Sequence, residues 1–156
     1  MLGLMLLRPN VFDPRTVLFA KHAQHVVLIH FPIALFITAV VFDVVAQFSK
    51  CRNLADTAYY NLLVAAISTV PVIATGILAW QLQLEGQKLK GTLLQHLVLG
   101  SISGGIIWLA WWLHFRTRRK KEALPTYRFA IESFGMVAVM LTGHLGGFLS
   151  GVNLPS

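Results

Sequence analysis

Two histidines near the head of the first long apolar run are the side chains with the clearest chemical role. His25 and His30 lie in the stretch His-Val-Val-Leu-Ile-His-Phe-Pro, which ends at Pro32 and leads into further apolar sequence. Ionisable side chains at membrane depth are energetically costly, and by default they mark a functional site. Imidazole is the commonest metal ligand among side chains and a common axial ligand of haem iron. The chemistry open to these histidines therefore depends on which others the fold brings beside them.

Composition places the chain in the membrane. Of its 156 residues 56% are hydrophobic and only 12% are charged, and the mean hydropathy is +0.67. This length accommodates about four spans of roughly 20 residues each. The formal charge of +7 sits at the edges of the apolar runs, which indicates topology signals and contacts with anionic lipid, and no nucleic-acid partner. Because Cys51 is the single cysteine, a cysteine-attached haem or cluster is excluded, and we expect histidine to hold any cofactor.

The apolar runs predict an all-α fold, an integral-membrane four-helix bundle with up-down-up-down topology. Short connections make consecutive spans antiparallel neighbours. Asp13 followed by Pro14 is typical of a helix N-terminus, and the charged residues after it predict a short interfacial helix. The predicted spans cover about residues 26–48, 57–80, 92–115 and 127–149. The chain then divides into an N-terminal segment, a transmembrane domain and a tail, at residues 1–24, 25–151 and 152–156.

The distribution of basic residues predicts the orientation of the bundle. More of them lie near the loops after spans one and three than on the opposite side, and cytoplasmic loops carry the excess of Lys and Arg. The chain is therefore expected to be a multi-pass membrane protein with the loops after spans one and three in the cytoplasm and both termini on the outer side. The residues on the predicted cytoplasmic side are Lys50, Arg52, Arg116, Arg118, Arg119, Lys120, Lys121 and Arg128, against Arg8, Arg15, Lys21, Lys88 and Lys90.

This topology brings four histidines to one leaflet. His25 and His30 open span one, His96 opens span three, and His144 lies near the end of span four, all on the predicted outer side. With a rise of 1.5 Å per residue, His30, His96 and His144 should lie roughly 5–10 Å inside the membrane boundary. The alternative is that each imidazole only hydrogen-bonds the backbone of a neighbouring helix. Their common depth on separate helices favours a shared site.

A b-type haem is the cofactor that such a group favours, because haem iron takes neutral imidazole on its two faces and a bundle interior supplies it from facing helices. His30 with His144 or His96 is the expected ligand set. His25 and His30 are five residues apart, about 140° on a helical wheel, so one helix face cannot present both. His25 is therefore expected at the rim, where it would hold a propionate or a quinone oxygen.

Glycines near the histidines would leave flat helix surface for a macrocycle. Gly100 and Gly104 follow His96 by one and two turns, and Gly143 and Gly147 flank His144. The alternative is contact between helices through small residues. A zinc or copper ion held by His30, His96 and His144 is the competing metal site, and a magnesium chlorin pigment is a third chemistry that these residues could support.

The opposite side of the bundle carries two acidic residues inside the spans. Asp43 and Glu132 should lie at similar depth there, and a boundary ion-pair network with Arg128 and neighbouring basic residues is the favoured interpretation. A proton-entry role is the alternative. His114 is expected alone near this face. The sequence offers no arrangement typical of hydrolytic chemistry.

The ordered motifs of the chain resemble the bacterial membrane family catalogued as domain of unknown function 2231. That family opens with His-Pro-x-x-Val-His-Phe-Pro-Ile and ends with Thr-Gly-x-x-Gly-Gly. Here the chain reads His25, four residues, then His30-Phe31-Pro32-Ile33, and it closes with Thr142-Gly143-His144-Leu145-Gly146-Gly147, with Asp43 and His96 between. The resemblance spans about residues 25–151.

Two positions depart from the family pattern, since Val26 replaces its proline and Ile29 its valine. The first change would let the surface helix continue straight into span one. The resemblance implies four spans. Members of the family sometimes occur joined to c-type cytochrome domains, which implies an association with electron transfer and assigns no ligand.

Together these features predict a membrane redox subunit that binds b-type haem near the outer face and transfers electrons between quinone and a partner protein. The expected partners are the lipid bilayer and other membrane subunits or a cytochrome of an electron-transfer complex. A cofactor-free accessory subunit of a respiratory or photosynthetic complex is the first alternative. A pigment-binding or metal-binding membrane protein is the second.

Overall fold

The computed structural model describes residues 23–83, 86 and 88–150, and its regular structure consists of four α-helices. The predicted interfacial helix after Asp13 and the tail at 152–156 lie outside the described residues. All four helices are long and apolar enough to cross a membrane, which confirms the predicted all-α membrane bundle. In chain order they are α1 (Ala23–Ser49), α2 (Arg52–Gln83), α3 (Gly91–Lys120) and α4 (Arg128–Leu149).

Two helices extend further into the charged turns than the sequence predicts. Residues 52–56 and 116–120 were expected in loops, and both segments are helical, so this prediction is wrong. Arg, Lys, Leu and Ala are good helix formers, and the backbone bonds of a helix continue beyond the hydrocarbon region without penalty. The chain turns instead at Lys50 and Lys121, which adopt the left-handed conformation at φ 54° and 56°.

Side-chain contacts at both ends show that neighbouring helices run antiparallel. His25 at the start of α1 meets Thr75 near the end of α2, and His96 at the start of α3 meets Thr142 near the end of α4. The most extensive packing joins α1 to α2 and α3 to α4, whereas α2 meets α3 less closely and α1 meets α4 least. The predicted up-down-up-down order is therefore confirmed, as two helix pairs that close into a ring.

The buried side chains are confined to one half of the bundle. We call this part the packed half; it comprises residues 32–46, 58–69, 103–117 and 128–139. The described helical segments at the end that carries the predicted histidine site contain no buried residue. We call them the histidine end; they comprise residues 24–31, 70–81, 91–102 and 140–149.

The tightest crossing in the packed half lies at Gly135 of α4. A Cβ atom placed there would lie 2.7 Å from Ile106 Cγ2 of α3 and 2.8 Å from Phe36 Cζ of α1. Phe36 is fully buried at the centre of the core. Small residues let membrane helices approach in this way, and van der Waals packing then replaces the hydrophobic effect as the force between them.

Replacing Gly135 by alanine should therefore overpack the core. We expect Gly135→Ala to lower the free energy of unfolding by about 1–3 kcal/mol, because both neighbouring side chains must move. Denaturant unfolding in detergent, followed by circular dichroism, measures the change. Gly104→Ala is the matched control, since a Cβ at Gly104 meets nothing within 4 Å. Equal stability of the two variants would contradict the close crossing.

Candidate functional site

Hydrogen bonds to backbone carbonyls fix the tautomers of two of the predicted histidines. His30 Nδ1 lies 2.6 Å from the carbonyl oxygen of Val26 in its own helix, and His96 Nδ1 lies 3.1 Å from the carbonyl oxygen of Thr142 on α4. A carbonyl only accepts, so each Nδ1 carries the proton in the neutral ring and each Nε2 carries the lone pair. Ligating histidines use this arrangement, in which the second nitrogen donates to a carbonyl and orients the ring.

Because Gly146 has no side chain, the His96 ring can pack against α4. A Cβ at Gly146 would lie 3.2 Å from His96 Cε1, so a larger residue would press on the ring. Gly100 lies opposite Thr142 of α4, with 3.6 Å from its Cβ position to Thr142 Cγ2. These two glycines thus serve the contact between α3 and α4, which for Gly100 is the alternative that the sequence left open.

Gly104 and Gly143 behave differently. A Cβ at either position meets nothing within 4 Å, so both leave open space on the surface of α3 and α4. Gly147 is half-buried near the end of α4. The predicted glycine surface is therefore divided between packing and open space.

His25 lies against α2. Its Nδ1 is 3.1 Å from Thr75 Oγ1, and its Cε1 is 3.0 Å from the Cβ position of Gly76. The Thr75 hydroxyl donates within its own helix, to the carbonyl of Pro71 at 2.8 Å or of Val72 at 3.0 Å. It therefore accepts from His25, whose Nδ1 carries the proton in the neutral ring.

His144 is exposed, and its ring meets Phe148 edge-on with 5.0 Å between centroids. The four predicted histidines share one end of the bundle but point to different neighbours. Within the described part of the chain, three ligand-type atoms from His, Cys, Asp or Glu lie within 4.8 Å of one another at one place only, and that place contains none of the four. The helix arrangement therefore does not assemble His30, His96 and His144 into a compact metal site.

That one place is a buried polar cluster in the packed half. Arg128 Nε donates to Asp43 Oδ2 at 2.6 Å, and His114 Nε2 lies 3.2 Å from Glu132 Oε1. All four side chains are at most 3% exposed. Arg128 also donates to Gln47 Oε1 at 3.0 Å and to the Pro125 carbonyl at 3.2 Å. Three helices, α1, α3 and α4, therefore meet through hydrogen-bonded polar groups.

The cluster corrects the sequence prediction for this side. The expected ion pair of Asp43 with Arg128 is confirmed, but it is buried inside the bundle and not placed at the boundary. His114 was expected apart from the other histidines near this face; its pairing with Glu132 was not predicted. His114 and Glu132 are each nine residues from Ala123, in the turn between α3 and α4. Because these helices are antiparallel, equal distances from the turn put the two residues at the same depth, and this spacing could have predicted their contact.

Two arginine–aspartate pairs with the same N–O distance of 2.6 Å differ in burial, so they allow a direct test of how burial affects the contribution of an ion pair to stability. Arg118 Nη1 donates to Asp56 Oδ1 at 2.6 Å, but these side chains are 41% and 38% exposed. We expect Arg128→Gln to lower the free energy of unfolding by about 3–5 kcal/mol, because it leaves a buried carboxylate without its partner. The control Arg118→Gln should cost less than about 1 kcal/mol, as exposed pairs do. Denaturant unfolding in detergent measures both, and equal losses would contradict the assignment.

Four long apolar helices with polar side chains turned inward define a multi-pass α-helical membrane protein, which contacts the lipid bilayer. The sequence profile of a predicted membrane protein family, DUF2231, matches residues 21–152. The chain belongs to this family, so the resemblance read from the histidine and glycine motifs is confirmed. Comparison with curated proteins and with solved structures gives no match.

Proposed function

We propose that this protein is a membrane redox subunit that binds b-type haem at its histidine end. The observation that carries the proposal is the tautomer of His30 and His96, whose Nδ1 atoms donate to carbonyls and leave Nε2 with the lone pair. Haem iron takes imidazole in this neutral form. The backbone partner of each ring holds it in one orientation, as is usual for ligating histidines.

The packing of the histidine end supports a flat ligand there. No side chain in its described segments is buried. A macrocycle bound between these helices would supply the buried contacts that these segments lack. The open positions at Gly143 and at Gly104, which lies at the adjoining edge of the packed half, leave room for it on α4 and α3.

His96 is the first ligand in this proposal, because its ring is part-buried and anchored on a second helix. His30 or His144 supplies the opposite ligand. His25, which is anchored on α2, takes the rim position beside a propionate or a quinone oxygen. The subunit then passes electrons between quinone and a partner protein, either a neighbouring membrane subunit or a cytochrome of a larger complex.

An absorption spectrum of the purified protein tests the haem. We expect a Soret band and a sharp α band on reduction by dithionite, because bis-imidazole ligation gives low-spin b-type haem. His96→Gly should lose the reduced α band, and added imidazole should restore it by filling the vacated position. Single alanine variants of His30 and His144 then identify the second ligand by the same loss.

Gln95→Ala is the matched control, because Gln95 is exposed and adjacent to His96. Its spectrum should equal that of the wild type. A featureless visible spectrum would overturn the proposal and favour a cofactor-free accessory subunit, and far-red absorption would favour a chlorin. Unchanged spectra in all three histidine variants would overturn the ligand assignment.

The proposed location is the inner membrane of a bacterium, with the histidine end on the periplasmic side. The turns at the opposite end carry the larger share of basic residues, which supports a cytoplasmic position for that end. Electron exchange with a periplasmic or quinone partner would then take place near the outer face.

The single cysteine provides a test of this orientation. Cys51 lies in the short turn between α1 and α2 and is partly exposed. In spheroplasts we expect a membrane-impermeant maleimide to leave Cys51 unlabelled, and inside-out vesicles should label it, because the positive-inside rule puts this turn in the cytoplasm. Cys51→Ser controls for background. Labelling in intact spheroplasts would reverse the orientation.

A further inference from the structure

The buried polar cluster contains an unbalanced charge. Asp43 and Glu132 are two carboxylates, and Arg128 is the one guanidinium that lies among them. With His114 neutral and both carboxylates ionised, the cluster would carry one net negative charge inside the membrane bundle. A buried charge without compensation is strongly unfavourable, so the cluster needs one further positive charge.

Within the part of the chain that the structure describes, the surrounding helices do not supply that charge. On α1 the remaining polar neighbour is Gln47, which is neutral and accepts from Arg128. On α3, Arg118 is already paired with Asp56 of α2, and both are partly exposed. Among the described residues of the cluster, Glu132 and His114 are the groups that can hold the additional proton, because Asp43 already accepts from Arg128.

We propose that His114 and Glu132 together bind one exchangeable proton inside the bundle. The added proton makes the cluster neutral, with Arg128 balancing Asp43. A divalent cation in the same place would instead leave one net positive charge next to a guanidinium. The charge balance therefore selects a proton as the ligand of this site.

The hydrogen bonding of Glu132 indicates where the proton resides. Its Oε1 is paired with His114 Nε2 at 3.2 Å, but its Oε2 is buried and has no hydrogen-bond partner. An ionised carboxylate spreads its charge over both oxygens, so an unpaired buried oxygen is less unfavourable in the neutral acid. The protonated form of Glu132, with Oε1–H donating to Nε2, satisfies this constraint.

A cleft at the basic end is lined by residues that are next in the chain to two members of the cluster. It has a volume of about 200 Å³ and is lined in part by Leu113, Thr117, Pro125 and Tyr127. Leu113 precedes His114 in the chain, and Tyr127 precedes Arg128. In this proposal the pair exchanges its proton with water on the basic side, through the cleft beside these chain neighbours.

Infrared spectroscopy of the full-length protein in detergent tests the proposal. We expect a carboxylic-acid C=O band that shifts on transfer from ¹H₂O to ²H₂O and is absent in Glu132→Gln. Asp43→Asn should abolish the same band although Glu132 is still present, because the cluster is then neutral without the extra proton. Asp56→Asn is the matched control; it removes an exposed carboxylate and should leave the band unchanged. Circular dichroism and gel filtration confirm that each variant is folded.

Nitrogen-15 spectra of histidine-labelled protein complete the test. A protonated imidazole at His114, lost in Asp43→Asn, would also support a proton held by the pair. An ionised Glu132 together with a neutral His114 would overturn the proposal. So would one stoichiometric metal ion that the wild type retains through purification and Glu132→Gln loses. A Glu132 acid band that persists in Asp43→Asn would refute the charge balance on which the proposal depends.

Discussion

The closure of the four-helix ring depends on the buried, hydrogen-bonded ion pair of Arg128 and Asp43. The contact between α1 and α4 is the least extensive of the four that close the ring, yet it contains this bond at 2.6 Å. Lipid is as apolar as the side chains of the helices, so burial alone does not hold helices together in a membrane. Close packing at Gly135 and this hydrogen-bonded ion pair, which lipid cannot replace, therefore join α4 to α1.

Much of this arrangement follows from the sequence. Four apolar runs fixed the helices, and antiparallel order placed His96 near the end of α4 and Asp43 near Arg128. The histidine tautomers were not predictable, because they depend on which carbonyl each ring meets. The pairing of His114 with Glu132 was not predicted, because topology gives depth along the membrane normal but not rotation about the helix axis. The ends of α2 and α3 were also not predicted, because both helices continue through charged residues beyond their apolar runs.

The two proposed sites differ in how closely the surrounding helices enclose them. The cluster around Glu132 is enclosed by packed helices and depends on internal charge balance. At the other end, His30 and His96 are oriented by backbone carbonyls while the helices around them stay open. An enclosed site suits a proton, which needs no room. An open site suits a large ligand, which must enter from lipid or water.

The restriction of buried side chains to one half of the bundle has a consequence for assembly. Regions with few buried contacts open at low free-energy cost, whereas a packed core opens only with global unfolding. The four helices can therefore insert and lock at the end that contains Phe36 while their other ends remain separable. A ligand bound between those ends would then raise the stability of the bundle by an amount that grows with the logarithm of the free ligand concentration once the site is nearly saturated. In this order of events the packed half would form first, and the helices of the histidine end would come together last.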